Sequence, residues 1–483
     1  MNVPDPAVSP HNRPMIFDRF LASPEVMQVL DERAFVQAML DFEAALARAQ
    51  ADAGAIPASA GEAIAAACDA RGFDVDAIAI EGGRVGTIAI PLVKALTAAV
   101  AQADAGAALV VHWGGTTQDV LDTAQVLVTR RALALIDRDL STLAAALLAL
   151  ADAQGAAPLL GRTLMQPAQV ISLGFKLAGW IAPLLRAQER LRVAGGAALQ
   201  LQLGGAVGTR AALGEHGDAV AAGMARLLEL RLPPAAWHTQ RDELVALGCE
   251  LGVLAGSLGK IGKDISLMAQ GEVGELAEPS GGGRGGSSAM PHKRNPVAAM
   301  NALANAVRAP QRVAALLAAM PQEHERGLGN WQAELAEFEG LLAGVHGALA
   351  ALAFAAGGLQ VFPARMRANI DALQGLVFAE ALAMRVAREI GKSEAHHWVE
   401  GLASETVASG AQLRDVAQAA LARDARLRER IAPDELAALF DADAPARHAS
   451  ALAAPQLAAL AAQAARLRHE PPWQSHLQGN DHA

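Results

Sequence analysis

From Gln118 to Asp152 the chain contains no glycine and no proline. Across this span Leu121, Ala124, Val128, Leu133, Ile136, Leu140, Leu143, Leu147 and Leu150 step by three, four or five residues. That spacing lines apolar side chains along one face of an α-helix. At 1.5 Å per residue the helix would run about 50 Å, far beyond an ordinary globular helix. A helix of that length has to be buried by others of similar length. Comparable apolar stretches run from about Ala168 to Leu203, Leu244 to Met268, Val297 to Met320 and Trp331 to Leu359. The pattern predicts an all-α protein built on a long five-helix bundle. Alanine, abundant throughout, favours helix and lets helices approach closely.

Glu25 to Ala53 reads as a further helix, and short helices and turns follow to about Gly115. Residues 364 to about 466 show shorter helical periods, with breaks at Gly391, Gly410 and Pro433. Three helical domains are therefore expected: an N-terminal one over 1–112, the bundle over 113–361 and a small C-terminal one over 362–483. Residues 1 to about 16 read as an arm with no apolar core, hence not a secretion signal. The stretch from His469 onward reads as a frayed tail. Neither an internal repeat nor strand-like alternation stands out. No run of about 18 uncharged apolar residues free of glycine and proline marks a membrane span.

Forty basic and fifty acidic residues give a formal charge of −10, without a strongly basic stripe. Nucleic acid is not an expected partner. The two cysteines, Cys68 and Cys249, are too few for a disulfide framework, which suits a reducing cytoplasm. His396 and His397 are adjacent and cannot share a helix face, so no metal-ligand set is expected.

Between the third and fourth bundle segments lies Gly281 to Gly286, a glycine run broken only by Arg284. Glycines alone fit a linker. The string that follows, Gly286-Ser287-Ser288-Ala289-Met290-Pro291-His292-Lys293-Arg294-Asn295-Pro296, does not. It holds a hydroxyl, a cation and an amide in fixed order on a loop at 280–296, the composition of an active-site lid. The spacing fits neither a phosphate loop nor a Ser-x-x-Lys nucleophile.

Other polar clusters bound the bundle segments. His112-Trp113-Gly114-Gly115-Thr116-Thr117-Gln118-Asp119 precedes the long helix. Thr117 or Asp119 there could simply cap it; alternatively Thr116, Thr117 and Gln118, beside free helix-start N–H groups, could hold a carboxylate. Gly161-Arg162-Thr163-Leu164-Met165-Gln166-Pro167 precedes the next segment. Two more are Trp237-His238-Thr239-Gln240-Arg241-Asp242 and His324-Glu325-Arg326-Gly327-Leu328-Gly329-Asn330-Trp331.

The loop string closely resembles the signature of the fumarase/aspartase superfamily, and the likeness extends over nearly the whole chain. The resemblance implies three helical domains, a central bundle that builds a homotetramer core, and active sites shared between subunits. By position it makes Ser287 the group acting on the carbon next to a carboxylate, with Lys293 and Asn295 holding that carboxylate. Within the superfamily the first cluster and the two patches around Gln240 and Arg326 are similar to the 3-carboxy-cis,cis-muconate cycloisomerases. The Thr-His pair usual in the superfamily reads Thr163-Leu164 here, and the partner glutamate position is Met300. Loss of both members leaves no unpaired buried group.

The reaction so implied closes a lactone on a tricarboxylate without metal or cofactor, with adenylosuccinate-lyase-type cleavage and a crystallin-like structural role as alternatives. His112 would be a second acid or base, a carboxylate donor, or structural. Arg162, Thr163, Gln166, Gln240, Arg241, Ser288, Met290, His292 and Arg326 complete the expected substrate contacts.

Overall fold

The computed structural model describes residues 16–280, 284–286, 289–290, 292–470 and 472. The expected N-terminal arm and most of the expected tail lie outside them. The N-terminal part folds as α1 (Ile16–Leu21), α2 (Pro24–Val29), α3 (Glu32–Asp52), α4 (Ala58–Ala67), α5 (Val75–Val85) and α6 (Ala89–Ala103). Then come α7 (Thr117–Gln154), strands β1 (Pro158–Thr163) and β2 (Gln166–Ser172), α8 (Leu173–Ala198), α9 (Gly217–Leu228) and α10 (Asp242–Met268). The chain continues through β3 (Leu276–Ala277), α11 (Val297–Ala319), α12 (Asn330–Ala356) and β4 (Gln360–Val361). It ends with α13 (Pro363–Asp371), α14 (Ala379–Ile390), α15 (Lys392–Ser409), α16 (Leu413–Arg423), α17 (Pro433–Leu439) and α18 (Asp443–His469).

The five expected long helices are α7, α8, α10, α11 and α12, and they pack on one another as a bundle. Helix α7 has 38 residues, a length of about 57 Å. It is shared between two cores. Its first turns, Val120 to Val128, pack with Phe42 and Leu46 of α3 and Leu92 and Leu96 of α6. From Ala132 onward it packs with α8, α10 and α12. Helices α10 and α11 approach closely because Gly252 and Gly259 of α10 face Val313 and Ala306 of α11; a Cβ there would meet them at 2.7 and 2.5 Å.

Two expectations need correction. The second polar cluster does not lead straight into a helix. It forms an antiparallel hairpin, Pro158 to Thr163 on Gln166 to Ser172, with a register shift between Gly161 and Arg162. Its apolar residues come in adjacent pairs, Leu159-Leu160 and Val170-Ile171, so no alternation betrays it. The C-terminal part is not made of short helices alone. The 27-residue α18 returns to lie on α8, β2 and α7. Helices α10 and α12 are long and apolar enough to cross a membrane by length and composition, although both carry glycines and charged residues. More than half of the most apolar window of each is buried inside the bundle, the role their length serves here.

Candidate active site

The loop before α7 ends at Thr116, whose N–H donates to Asp119 Oδ2 at 3.1 Å. Asp119 is fully buried. Its carboxylate also accepts the N–H groups of Gly204 and Gly205, each at 2.9 Å, and meets His238 Nε2 at 2.7 Å. A side chain at Gly204 would sit 2.7 Å from the His238 ring. Asp119 therefore ties three separate loops together at the helix start, beyond the capping role expected of it. Gln118 is also fully buried. Its amide donates to His238 O at 2.8 Å and accepts from Arg326 Nε at 3.1 Å. Gln118 thus orients Arg326 from within the core, a correction to its expected role as a direct substrate contact. Arg326 makes one further bond, 3.4 Å to Gly205 O, and among the described residues it has no carboxylate partner. Thr116 and Thr117 are half-buried beside it.

His112 belongs to the same cluster. Its Nδ1 lies 2.7 Å from Oε1 of Glu43, a residue 1% exposed on α3. Burial, the strongest influence on His112, favours the neutral ring. The charge of Glu43, its hydrogen bond and the charge of Asp119 together outweigh it, so the His112 pKa is raised. Glu43 was not among the expected site residues. The signal was present: Phe42, Glu43, Leu46, Ala47 and Gln50 form one buried stripe, and a glutamate there needs a partner.

Arg241 is not available to a substrate. It is fully buried, paired with Asp122 at 2.8 Å and with Glu334, and Trp331 Nε1 donates to the same Asp122 at 2.9 Å. Burial, the largest influence, disfavours its charge, but Asp122 and Glu334 hold it firmly protonated. Gln240 is exposed and lines a separate groove with Gln200 and Arg231.

The remaining expected residues lie at the far end of the bundle. Arg162 forks onto the buried Glu275, at 2.7 and 3.1 Å, and Glu275 also accepts from Asn369 at 2.9 Å. Arg162 thus locks the hairpin to the chain before β3 and α13. Thr163 and Gln166 are exposed near the hairpin tip, where Leu164 and Met165 adopt positive φ of 49° and 68°. In the loop before α11, Asn295 N–H donates to Gly285 O at 2.8 Å, a contact that needs Gly285 at φ +70°. Met290, His292 and Lys293 are exposed and Asn295 is half-buried. Ser287 and Ser288 lie outside the described residues. Glu278 caps α11, accepting from Ala298 N and Ala299 N at 2.9 and 2.8 Å. One subunit thus gathers His112, Thr116, Thr117, Gln118 and Arg326 at one end, and Thr163, Gln166, Lys293 and Asn295 at the other, about the length of α7 apart.

A family model described as lyase matches residues 19–310, and one described as adenylosuccinate lyase C-terminus matches 375–454. The 3-carboxy-cis,cis-muconate cycloisomerase of Bradyrhizobium diazoefficiens is 48% identical over 90% of this chain and 94% of its own length. That of Pseudomonas aeruginosa is 48% identical over 88% and 92%. The crystal structure of 3-carboxy-cis,cis-muconate lactonizing enzyme from Pseudomonas putida superposes with a TM-score of 0.86 at 43% identity, covering 94% of this chain and 99% of that one. The chain belongs to the 3-carboxy-cis,cis-muconate cycloisomerase family of the fumarase/aspartase superfamily. In this member of the family the two positions that replace the superfamily's His–Glu pair are both open to solvent within one subunit. Leu164 is 97% exposed and Met300 45%.

Proposed function

We propose that the chain converts 3-carboxy-cis,cis-muconate to 4-carboxymuconolactone, a step of protocatechuate catabolism in the cytoplasm. One substrate carboxylate oxygen adds to a double-bond carbon and closes the five-membered ring. The π pair moves onto the neighbouring carbon, which becomes an aci-carboxylate-like centre and takes a proton. A trianion becomes a dianion, so each turnover consumes one proton. Negative charge grows beside a carboxylate, and preorganised donors lower that barrier most. Lys293 and Asn295 are assigned to that carboxylate, and Ser287 to proton delivery. Thr116, Thr117, Arg326 and His112 hold the other carboxylates. Arg241 and Gln118, both buried and fully engaged within the subunit, act on the site through other residues.

The observation that carries this reading is the cluster around Thr116, where hydroxyls, His112 and Arg326 gather at one end of the bundle while Lys293 and Asn295 lie at the other. Completion by the hairpin and loop of other subunits gives a homotetramer with shared sites. Apolar residues exposed on the bundle support that assembly: Phe175 and Val193 on α8, Val253 on α10, and Met300, Val307 and Leu317 on α11. Purified protein should deplete the ultraviolet absorbance of 3-carboxy-cis,cis-muconate with uptake of one proton per lactone, and leave adenylosuccinate intact. Fumarate release from adenylosuccinate, with muconate untouched, would overturn the assignment.

A further inference from the structure

Glu43 sits on the core-facing stripe of α3, and its Oε2 is buried with no hydrogen-bond partner. A carboxylate so placed is costly unless a cation meets it. Among the described residues the one group at hydrogen-bond distance that can carry a positive charge is His112, 2.7 Å from Oε1, a separation typical of a charge-assisted bond. Among the described residues the ring makes no second hydrogen bond, so Nε2 stays free on a side chain 19% exposed. The backbone reinforces this placement. His112 holds φ at 60°, a left-handed conformation that persists where surrounding contacts over-determine it. Gly115 lets the ring pack close, since a Cβ there would lie 3.1 Å from it.

We infer that Glu43 is the positioning residue for His112: it fixes Nδ1–H toward the interior and turns Nε2–H outward as a cationic donor to a substrate carboxylate. This rests on the lactonising activity proposed above. It assigns His112 as a carboxylate anchor: an imidazolium has no lone pair to act as a base, and a kcat that survives loss of its charge separates the anchor from a proton donor.

The surrounding charges agree. Two carboxylates face the ring, Glu43 from α3 and Asp119 from α7. Asp119 is already committed to His238 and to three backbone N–H groups. Arg326 reaches the cluster through Gln118 and adds a second cation for the same ligand. On the other side of Glu43, burial foremost and the Glu43 charge next push the Cys68 thiol up to about 12, so Cys68 stays neutral. Thus His112 is the group Glu43 charges.

The test is Glu43→Gln, which keeps shape and an acceptor oxygen but removes the charge. Tricarballylate binding is measured calorimetrically at pH 7.5 in buffers of different ionisation enthalpy, which counts protons taken up. The native enzyme should take up few, because His112 is already charged. The variant should take up close to one more per site, and its Kd should weaken about tenfold or more. In turnover, KM for 3-carboxy-cis,cis-muconate should rise about tenfold with kcat within about threefold, and the alkaline limb of kcat/KM should move down by about one pH unit. Equal proton uptake in both proteins would overturn the inference, as would an unmoved KM. Should Glu43→Gln not assemble, His112→Gln in the native background serves: the KM rise must be large at pH 7 and the alkaline limb must vanish, and a persisting limb refutes the role. Proton uptake differing between the proteins, without muconate turnover by either, would retire the proposed substrate and leave the Glu43–His112 assignment standing.

Discussion

Glu339 of α12 borders a cavity of about 510 Å³ lined by Leu30, Phe35, Ile78, Ile88 and Leu335, among others. Burial pushes its pKa from the ordinary carboxylate range up to about 7. Between about pH 4.5 and 7 the folded state therefore binds more protons than the unfolded one, and stability falls as pH rises through that window. Glu339→Gln should raise Tm at pH 8, by about 1–3 kcal/mol of stability, and change little at pH 4.5. Equal gains at both pH values would show that ionisation is not the cause. The same scale separates two arginines that look alike in sequence. Arg241→Ala leaves Asp122 and Glu334 buried and unpaired, and should cost about 3–5 kcal/mol. Arg326→Ala should leave Tm nearly unchanged and raise KM at least about tenfold. Calorimetry beside steady-state kinetics distinguishes them, and a reversed pattern would undo the correction made for Arg241. Sequence could mark both arginines as polar among alanines. It could not say which one faces carboxylates of its own chain, because Asp122 and Glu334 are far off in sequence and join Arg241 only in the fold.

At the level of elements, long helices were legible because period 3.6 repeats over many turns and accidental matches average out. The hairpin was not, since strands of six and seven residues carry few repeats and its two-residue turn lacks the usual Asn-Gly. Helix α18 was hidden by Pro455 inside it and by an apolar face diluted with polar residues. The hairpin tip keeps Leu164 and Met165 in left-handed φ, a strained choice for side chains that touch solvent in one subunit. Replacing them with Asn-Gly relieves that strain and should stabilise the isolated fold by about 1 kcal/mol. If the tip serves a neighbouring subunit's site, kcat should nonetheless fall at least about tenfold. A variant that is both more stable and fully active would mean the tip has no catalytic duty, and the strain would need another explanation.

For the whole molecule, the decisive quantity is the length of α7. The proposed division into parts ending near residues 112 and 361 describes the chain well enough to place the clusters, but α7 begins in the N-terminal core and α18 returns from the C-terminal part to the bundle. About 57 Å of helix separates the Thr116 cluster from the hairpin and the loop. Neither a rotamer change nor a loop closure spans that distance, so a site using both ends must draw them from different chains. Ser287→Ala should be nearly inactive, by at least about a hundredfold, the scale of a positioned acid or base. Thr117→Val should be inactive for a different reason, loss of a carboxylate donor at the opposite end. Refolding the two variants together should yield mixed tetramers in which some sites take Ser287 from one parent and Thr117 from the other. Those sites carry neither lesion, and with random assortment about a quarter of the native activity should return, given that each site draws its two residues independently. Native mass spectrometry on subunits of different isotopic mass would report whether mixing occurred. Mixed tetramers as inactive as their parents would overturn the shared site: with the two ends about 57 Å apart in one chain, Thr117 and Ser287 could not both take part in the reaction.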